Sequence, residues 1–391
     1  MDVDAVAATQ QYIDSLGAPA LAKAAAYTTG GHWLLLWGLL VSALVTWVLV
    51  RSGVLVALEA KLKPRGAFLQ VFLVAAVVLL LSALLELPWS LYTDWWRETS
   101  YHRTSQPLGD YLGQSAIALG LTVVLGSLFL TGVYAFMRRA GKRWWLWSGG
   151  LAAVASALLM LLAPTWIEPL FNDYQPVPAG VVREALVKMA DQAHISSARL
   201  FVYNGSRQSN NFTANAGGLG AAARIAISDV AFKSASLDEV KAVTGHEIGH
   251  YVLGHVWRGV GMLTVLAMLF FYLADRLFPL FARGFGAVGG IAQPATLPVL
   301  LFIVGVLGLL AEPFTNTLSR LDETEADRYS LQMVNLPDAL SGALVKTAEY
   351  RNPRPGAMEE LLFYDHPAVE NRVRMAMEWK ATHAAAAKAA R

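Results

Sequence analysis

Six stretches of this chain, at about residues 32–50, 67–91, 112–137, 144–165, 257–279 and 295–312, are long and apolar enough to cross a bilayer. A hydrocarbon core about 30 Å thick needs roughly 20 apolar helical residues. Ionisable residues are nearly absent from the first four stretches until their ends, the main exception being Glu86 beside Leu87 and Pro88. Trp33, Trp37, Trp89, Trp95, Trp96, Trp144, Trp145 and Trp147 cluster near span ends, where amphipathic rings favour the headgroup layer. The first stretch starts too late and is too long for a cleaved secretory signal. The residues before it, with Asp2, Asp4 and Asp14, lack a positive n-region, so it reads as a retained helix.

Composition agrees with a membrane protein. Of the 391 residues 55% are hydrophobic and only 15% charged, with mean hydropathy +0.43, whereas soluble domains average about 25% charged. This excludes an all-soluble enzyme, and it excludes disorder, which needs low hydrophobicity and high charge. A net charge of +2 gives no dense basic face, so no nucleic-acid partner is expected. With no cysteine in the chain, a disulfide framework, thiolate metal sites and a cysteine nucleophile are excluded together. Any metal must sit on His, Asp or Glu.

The expected organisation is an N-terminal segment (1–31), four membrane helices (32–165), a first soluble part (166–256), two membrane helices (257–312) and a second soluble part (313–391). The first soluble part carries a helical pattern through Val181 to His194 and two strand-like runs, Arg199 to Tyr203 and Arg224 to Ser228. Between the runs lies the Gly-, Asn- and Ser-rich connection Asn204 to Gly220, which reads as a loop or hairpin. The second part reads as mostly helical and ends in an Ala-rich surface helix, Ala381 to Arg391. Arg51, Lys61, Lys63 and Arg65 follow the first span, and Arg138, Arg139, Lys142 and Arg143 follow the third. Short loops so basic tend to stay cytoplasmic, which by alternation puts 166–256 on the opposite side, the periplasm in a bacterium.

Thr244 to His250 contains H-E-x-x-H. On a helix, residues i and i+4 lie about 40° apart around the axis, so His246 and His250 can both reach one zinc with Glu247 beside it as a base. Ser236 is a candidate N-cap and Glu239 holds the capping-box position. A catalytic zinc wants three protein ligands and one open position. His255, five residues past His250 and about 500° around a continuous helix, is expected to face away and to be structural. Beyond the sixth span, Glu323 and Asp327 are again i and i+4: one could bind the metal while the other fixes a ligand imidazole. Glu325, about 200° from Glu323, is expected to face outward. Ser206 and Ser209 lack any recognisable His and base arrangement for a nucleophile.

These residues resemble the type I CAAX prenyl proteases and their bacterial relatives, membrane zinc metalloproteases whose pattern is H-E-x-x-H followed by S-R-x-x-E-x-x-A-D. Here the pattern is His246, Glu247 and His250, then Ser319, Arg320, Glu323, Ala326 and Asp327. Leu87 to Tyr92, Ile167 to Asn172, Asn215-Ala216, and His366-Pro367 with Arg372 six residues on extend the likeness over most of the chain. Together with the six apolar stretches, the resemblance implies a mainly α, polytopic α-helical membrane protein of about six spans, with a zincin-type metalloprotease domain containing a small β element. It implies one zinc per chain on His246, His250 and Glu323, with Glu247 as general base. Asp327 holds the position of a second catalytic acid or proton donor, although its spacing reads as orientation of a ligand. By the same resemblance Asn215 helps hold the substrate backbone, and His366 and Arg372 stabilise the oxyanion. The expected partners are peptide or membrane-protein substrates and the lipid bilayer.

This sequence departs from the family in three respects. The eukaryotic branch has seven spans against six here, Gly217 stands where an aromatic usually follows Asn-Ala, and Tyr251 stands where Trp is common. An inner-membrane location in a bacterium is expected. Family analogy puts the zinc site on the cytoplasmic side, against the loop charges, so the side stays open. Two other readings keep the membrane helices and the zinc: a transport or scaffold protein with a noncatalytic site, and a zinc hydrolase acting on lipids.

Overall fold

Several of the apolar runs continue past the length that the membrane demands, and these overhangs build the functional part of the molecule. The computed structural model describes residues 4–389 apart from 197–198, 212, 218–222 and 349–350. Asp4 caps the short helix α1 (Ala5–Asp14), its carboxylate accepting from the backbone N–H groups of Val6 and Ala7. Helix α2 (Ala18–Arg51) has 34 residues, about 50 Å at 1.5 Å per residue, so its first turns stand clear of a 30 Å layer. After α3 (Val54–Leu62) comes α4 (Ala67–Ser90), which runs through a widened π turn into α5 (Arg97–Ser100). Helices α6 (Leu108–Arg139) and α7 (Trp144–Leu162) follow.

The soluble elements are α8 (Val181–Gln192), α9 (Asp229–Ser234) and α10 (Leu237–Val252). Helix α11 (His255–Phe285) and the 38-residue α12 (Leu297–Val334) return through the membrane. Helices α13 (Pro337–Thr347), α14 (Ala357–Phe363) and α15 (Val369–Ala389) complete the chain. The last two residues of the Ala-rich tail lie outside the described residues. Six helices among the described residues are long and apolar enough to cross a membrane, and this is an integral, multi-pass membrane protein. The boundaries expected at 31/32 and 312/313 fall inside α2 and α12, which do not break there. Arg51 Nε donates to the Phe285 carbonyl at 3.0 Å. The C-terminal ends of α2 and α11 therefore meet at the end of the bundle away from the soluble elements.

A four-stranded mixed sheet packs beside α10. Its strands β1 (Tyr174–Pro176), β2 (Leu200–Tyr203), β3 (Ala214–Gly217) and β4 (Arg224–Ser228) lie in the order β1-β2-β4-β3, with β2 parallel to β4 and both outer strands antiparallel. Strand β3 lies inside the Asn204 to Gly220 connection, part of which is outside the described residues. All of β4 is buried, including Arg224, whose charge is met by Glu168 and by the Pro164 carbonyl at 2.8 Å. That pair ties the sheet to the end of α7. Among the described residues three apolar cores result. One lies among the membrane helices, one joins the sheet to α8 and α10 through Leu186, Ile225, Ile227, Val240 and Ile248, and one joins α1, α13 and α15 through Ile13, Leu340, Val373 and Met377. Helix α10 is gripped between the last two, since Ala242 belongs to the third core and Ile248 to the second.

Candidate active site

The site forms where α10 crosses α12, and two glycines allow the approach. A Cβ at Gly249 would lie 3.1 Å from Ala326 Cα and 3.2 Å from its carbonyl oxygen, and one at Gly245 would lie 3.3 Å from Ser330 Cα. Buried Ser330 ties the helices by donating to the Ala242 carbonyl at 2.6 Å. The start of α10 is fixed by a capping box: Ser236 Oγ accepts from the Glu239 N–H at 3.2 Å and Glu239 accepts from the Ser236 N–H at 2.8 Å. Lys346 on α13 donates to the same carboxylate at 2.8 Å.

That crossing points three donors at one another. The Nε2 atoms of His246 and His250 are 3.1 Å apart. Glu323 Oε2 is 3.3 Å from His246 Nε2, and Glu323 Oε1 is 3.3 Å from His250 Nε2. Glu323 is buried, and its Oε2 receives no hydrogen bond among the described residues. Behind His246, the fully buried Asp327 accepts from Nδ1 at 2.8 Å and from Arg372 Nε and Nη2, both at 2.7 Å. Arg372 Nη2 is also 3.4 Å from Glu323. Burial works against a charged imidazole at His246, but its hydrogen bond to Asp327 and the Glu323 carboxylate facing it outweigh burial and push the group up to about 10. An excess of carboxylate of this kind favours a cation. His366 Nε2 reaches to 3.3 Å from Glu323 Oε1, while its Nδ1 is 3.0 Å from Asp365. Burial opposes ionisation of Asp365, yet His366 and Arg351 beside it hold its carboxyl well below the usual range.

These groups open on a chamber of about 610 Å³ lined by Glu247, His246, Glu323, His366 and Arg372, and closed on one side by Tyr27 and His32 of the α2 overhang. Gly249→Val is expected to force α10 and α12 apart, because both contacts are with backbone-bound atoms that cannot swing away. The overpacking cost of about 1–3 kcal/mol exceeds the helix-propensity gain of less than about 1 kcal/mol. A lower melting temperature and weaker metal binding should appear together; an unchanged value of either would refute the close-approach account.

The model of peptidase family M48 matches residues 176–380, more than half of the chain. The chain belongs to peptidase family M48. A second family model, described as the CAAX prenyl protease N-terminal region of five membrane helices, matches residues 7–173, a stretch holding four described helices of crossing length. Similar proteins include the uncharacterized metalloprotease YhfN of Bacillus subtilis, 27% identical over 95% of this chain and 89% of that one. The CAAX prenyl protease 1 homolog of Arabidopsis thaliana is 28% identical over 80% and 74%. The crystal structure of S. mikatae Ste24p has the same fold, with TM-score 0.65 at 23% identity over 77% of this chain and 74% of that one. This M48 chain is a membrane-embedded metalloprotease, and that membership sets aside the transport or scaffold reading.

Of the positions singled out in the sequence of this M48 peptidase, the fold gathers His246, Glu247, His250, Glu323, Asp327, His366 and Arg372. Asn215 stands on edge strand β3, paired with Ala226; its neighbours Thr213 and Ala214 line the chamber. Arg372 turns Nε and Nη2 to Asp327. His255 corrects the expectation that it faces away. Helix α10 stops at Val252, Gly254 has φ +71°, and His255 opens α11 with its Nδ1 2.9 Å from His250 Nδ1. Counting degrees along one helix fails across that break. The far chamber wall was not foreseen: Tyr27 donates to Glu98 at 2.6 Å, with Arg97 over its ring at 3.9 Å. The Gly30-Gly31 pair ahead of the apolar run concealed that α2 begins at Ala18.

Proposed function

We propose that this protein is a zinc endopeptidase that cuts membrane-associated or extended peptides by water attack, with one zinc per chain on His246, His250 and Glu323. The observation that carries the reading is the convergence of three donor groups: the two imidazole Nε2 atoms are 3.1 Å apart, and each lies 3.3 Å from one oxygen of Glu323, Oε2 facing His246 and Oε1 facing His250. Ligand atoms at about 2.0–2.2 Å from a tetrahedral zinc stand about 3.3–3.5 Å from one another. Two imidazoles and a carboxylate leave the fourth position open for a hydrolytic site, and the buried Glu323 oxygen without a hydrogen bond is what a cation would satisfy. A bound zinc supplies Lewis-acid chemistry, acidifying water and polarising the scissile carbonyl.

The chain's own residues do the rest. Glu247, next to His246 and on the chamber wall, takes the water proton and passes it to the leaving amine. His366 Nε2, beside Glu323, is placed to donate to the oxyanion. Asp327 holds the His246 ring through Nδ1, and Arg372 holds Asp327. An extended substrate adds to the edge of β3, where Asn215 helps hold its backbone. Relatives carry the name CAAX prenyl protease; the residues here support the broader class of peptides reaching the site from the membrane surface, along the α2 overhang. The Bacillus relative, matched over 95% of this chain, is consistent with a bacterial membrane as the location.

Metal analysis with a peptidase assay on the detergent-purified protein tests this proposal. One zinc per chain is expected, with cleavage of a casein or peptide mixture lost to a chelator and restored by zinc. Cleavage that survives complete metal removal would overturn it.

A further inference from the structure

Behind the proposed metal ligands runs a second chain of contacts, on the side of the site away from Asp327. Gly254, in the left-handed region that favours glycine, turns the chain so that His255 folds back on α10. His255 Nδ1 lies 2.9 Å from His250 Nδ1, and its Nε2 lies 3.1 Å from Glu325 Oε2. The His255 side chain is buried. Asp322 Oδ1 stands 4.0 Å from the same Nε2. Arg258, one turn along α11, pairs with both Asp322 and Glu325.

We infer that His255 is a positioning residue for His250: it accepts the Nδ1 proton of His250 and thereby commits His250 Nε2, unprotonated, to the metal. This rests on the zinc site proposed above. The direction of the bond follows from counting protons. Two ring nitrogens facing each other at 2.9 Å share one hydrogen. Were His255 the donor, neutral His250 would carry its own hydrogen on Nε2, the atom facing His246 and Glu323, and would have no lone pair there for a cation. With His250 as donor, His255 carries its hydrogen on Nε2, where the Glu325 carboxylate accepts it. The reverse arrangement would also set a bare His255 Nε2 against the Glu325 carboxylate at 3.1 Å, two acceptors with no hydrogen between them.

The two imidazoles of the H-E-x-x-H helix are thus oriented by different devices. A carboxylate acts directly on His246, whereas on His250 a carboxylate acts through an intervening imidazole; both follow the general pattern in which the far ring nitrogen of a ligand is hydrogen-bonded. Asp322 and Glu325 could with His255 be taken for a second cation site. The Arg258 guanidinium already supplies the positive charge between those carboxylates, so the cluster works as a fixed acceptor for His255.

The test measures zinc affinity of the full chain in detergent by chelator competition, with the absorption spectrum of the cobalt-substituted protein as a second readout. A wild type that binds one zinc keeps the metal site standing whatever the variants do, so failure of the relay is distinguishable from failure of the site. His255→Leu is expected to weaken zinc binding about 10- to 100-fold and to alter the cobalt spectrum. His255→Asn, whose carbonyl can stand near the former Nδ1, should recover most of the loss, and Glu325→Ala should show part of it. Zinc binding by His255→Leu as tight as wild type would overturn the inference. So would an Asn variant no better than Leu, or a wild type holding two zincs of which His255→Leu loses one. If His255→Leu does not fold, Glu325→Ala decides, because an unchanged zinc affinity there leaves the relay without its terminal acceptor's effect.

Discussion

Glu247→Gln is expected to keep its zinc and to lose peptide cleavage about 10²- to 10⁴-fold in kcat, the range a positioned general base contributes. The side chain lines the chamber one residue from His246 and is not one of the three donors, so the amide should leave metal content unchanged. Gln matches the volume of Glu and can still hydrogen-bond water, but it cannot take a proton. Melting temperature should therefore barely move while turnover collapses. Residual activity within tenfold of wild type would show that another group serves as the base. Loss of zinc together with activity would show that Glu247 holds the metal. Mass spectrometry of the products separates peptide-bond cleavage from hydrolysis of a lipid ester: new amino and carboxyl termini are expected from the wild type and should be absent with Glu247→Gln.

Features governed by local periodicity were legible before the fold was known. The H-E-x-x-H spacing, the capping box at Ser236 and Glu239, and the six apolar runs each depend on neighbours within a few residues, and α10 and the crossing helices realise them. What escaped depends on distant partners. Strand β3 lies in a Gly-, Asn- and Ser-rich stretch of weak strand propensity and exists through its pairing with the wholly buried β4. The span expected to end at 312 instead continues through Pro313 as one helix to Val334. A single rod thus carries Glu323 and Asp327 out of the membrane to His246. Spacing along that rod puts the two carboxylates on one face, but only the Gly245 and Gly249 contacts bring that face within 3.3 Å of the imidazoles.

Replacing Asp327 should cost both stability and metal, and the two losses can be pulled apart. The carboxylate is fully buried and accepts from His246 Nδ1 and twice from Arg372. Asp327→Leu strands the Arg372 guanidinium, whose side chain is only 11% exposed, leaving Glu323 at 3.4 Å as its counter-charge, and removing one member of such a pair costs at most about 3–5 kcal/mol. It also takes the acceptor from His246, which should loosen zinc about 10- to 100-fold. Arg372→Leu alone should destabilise by a similar mechanism, with Asp327 now lacking its fork. In the double variant the stranded charges disappear together, so its stability loss should be well below the sum of the two single losses, as expected for coupled neighbours. Zinc affinity should stay low in the double variant, because His246 Nδ1–H still has no acceptor. An additive stability loss would mean the pair is not energetically coupled. Normal zinc affinity in Asp327→Leu, with only kcat reduced, would mean that Asp327 acts at the reacting atoms as an acid and not through the His246 ring.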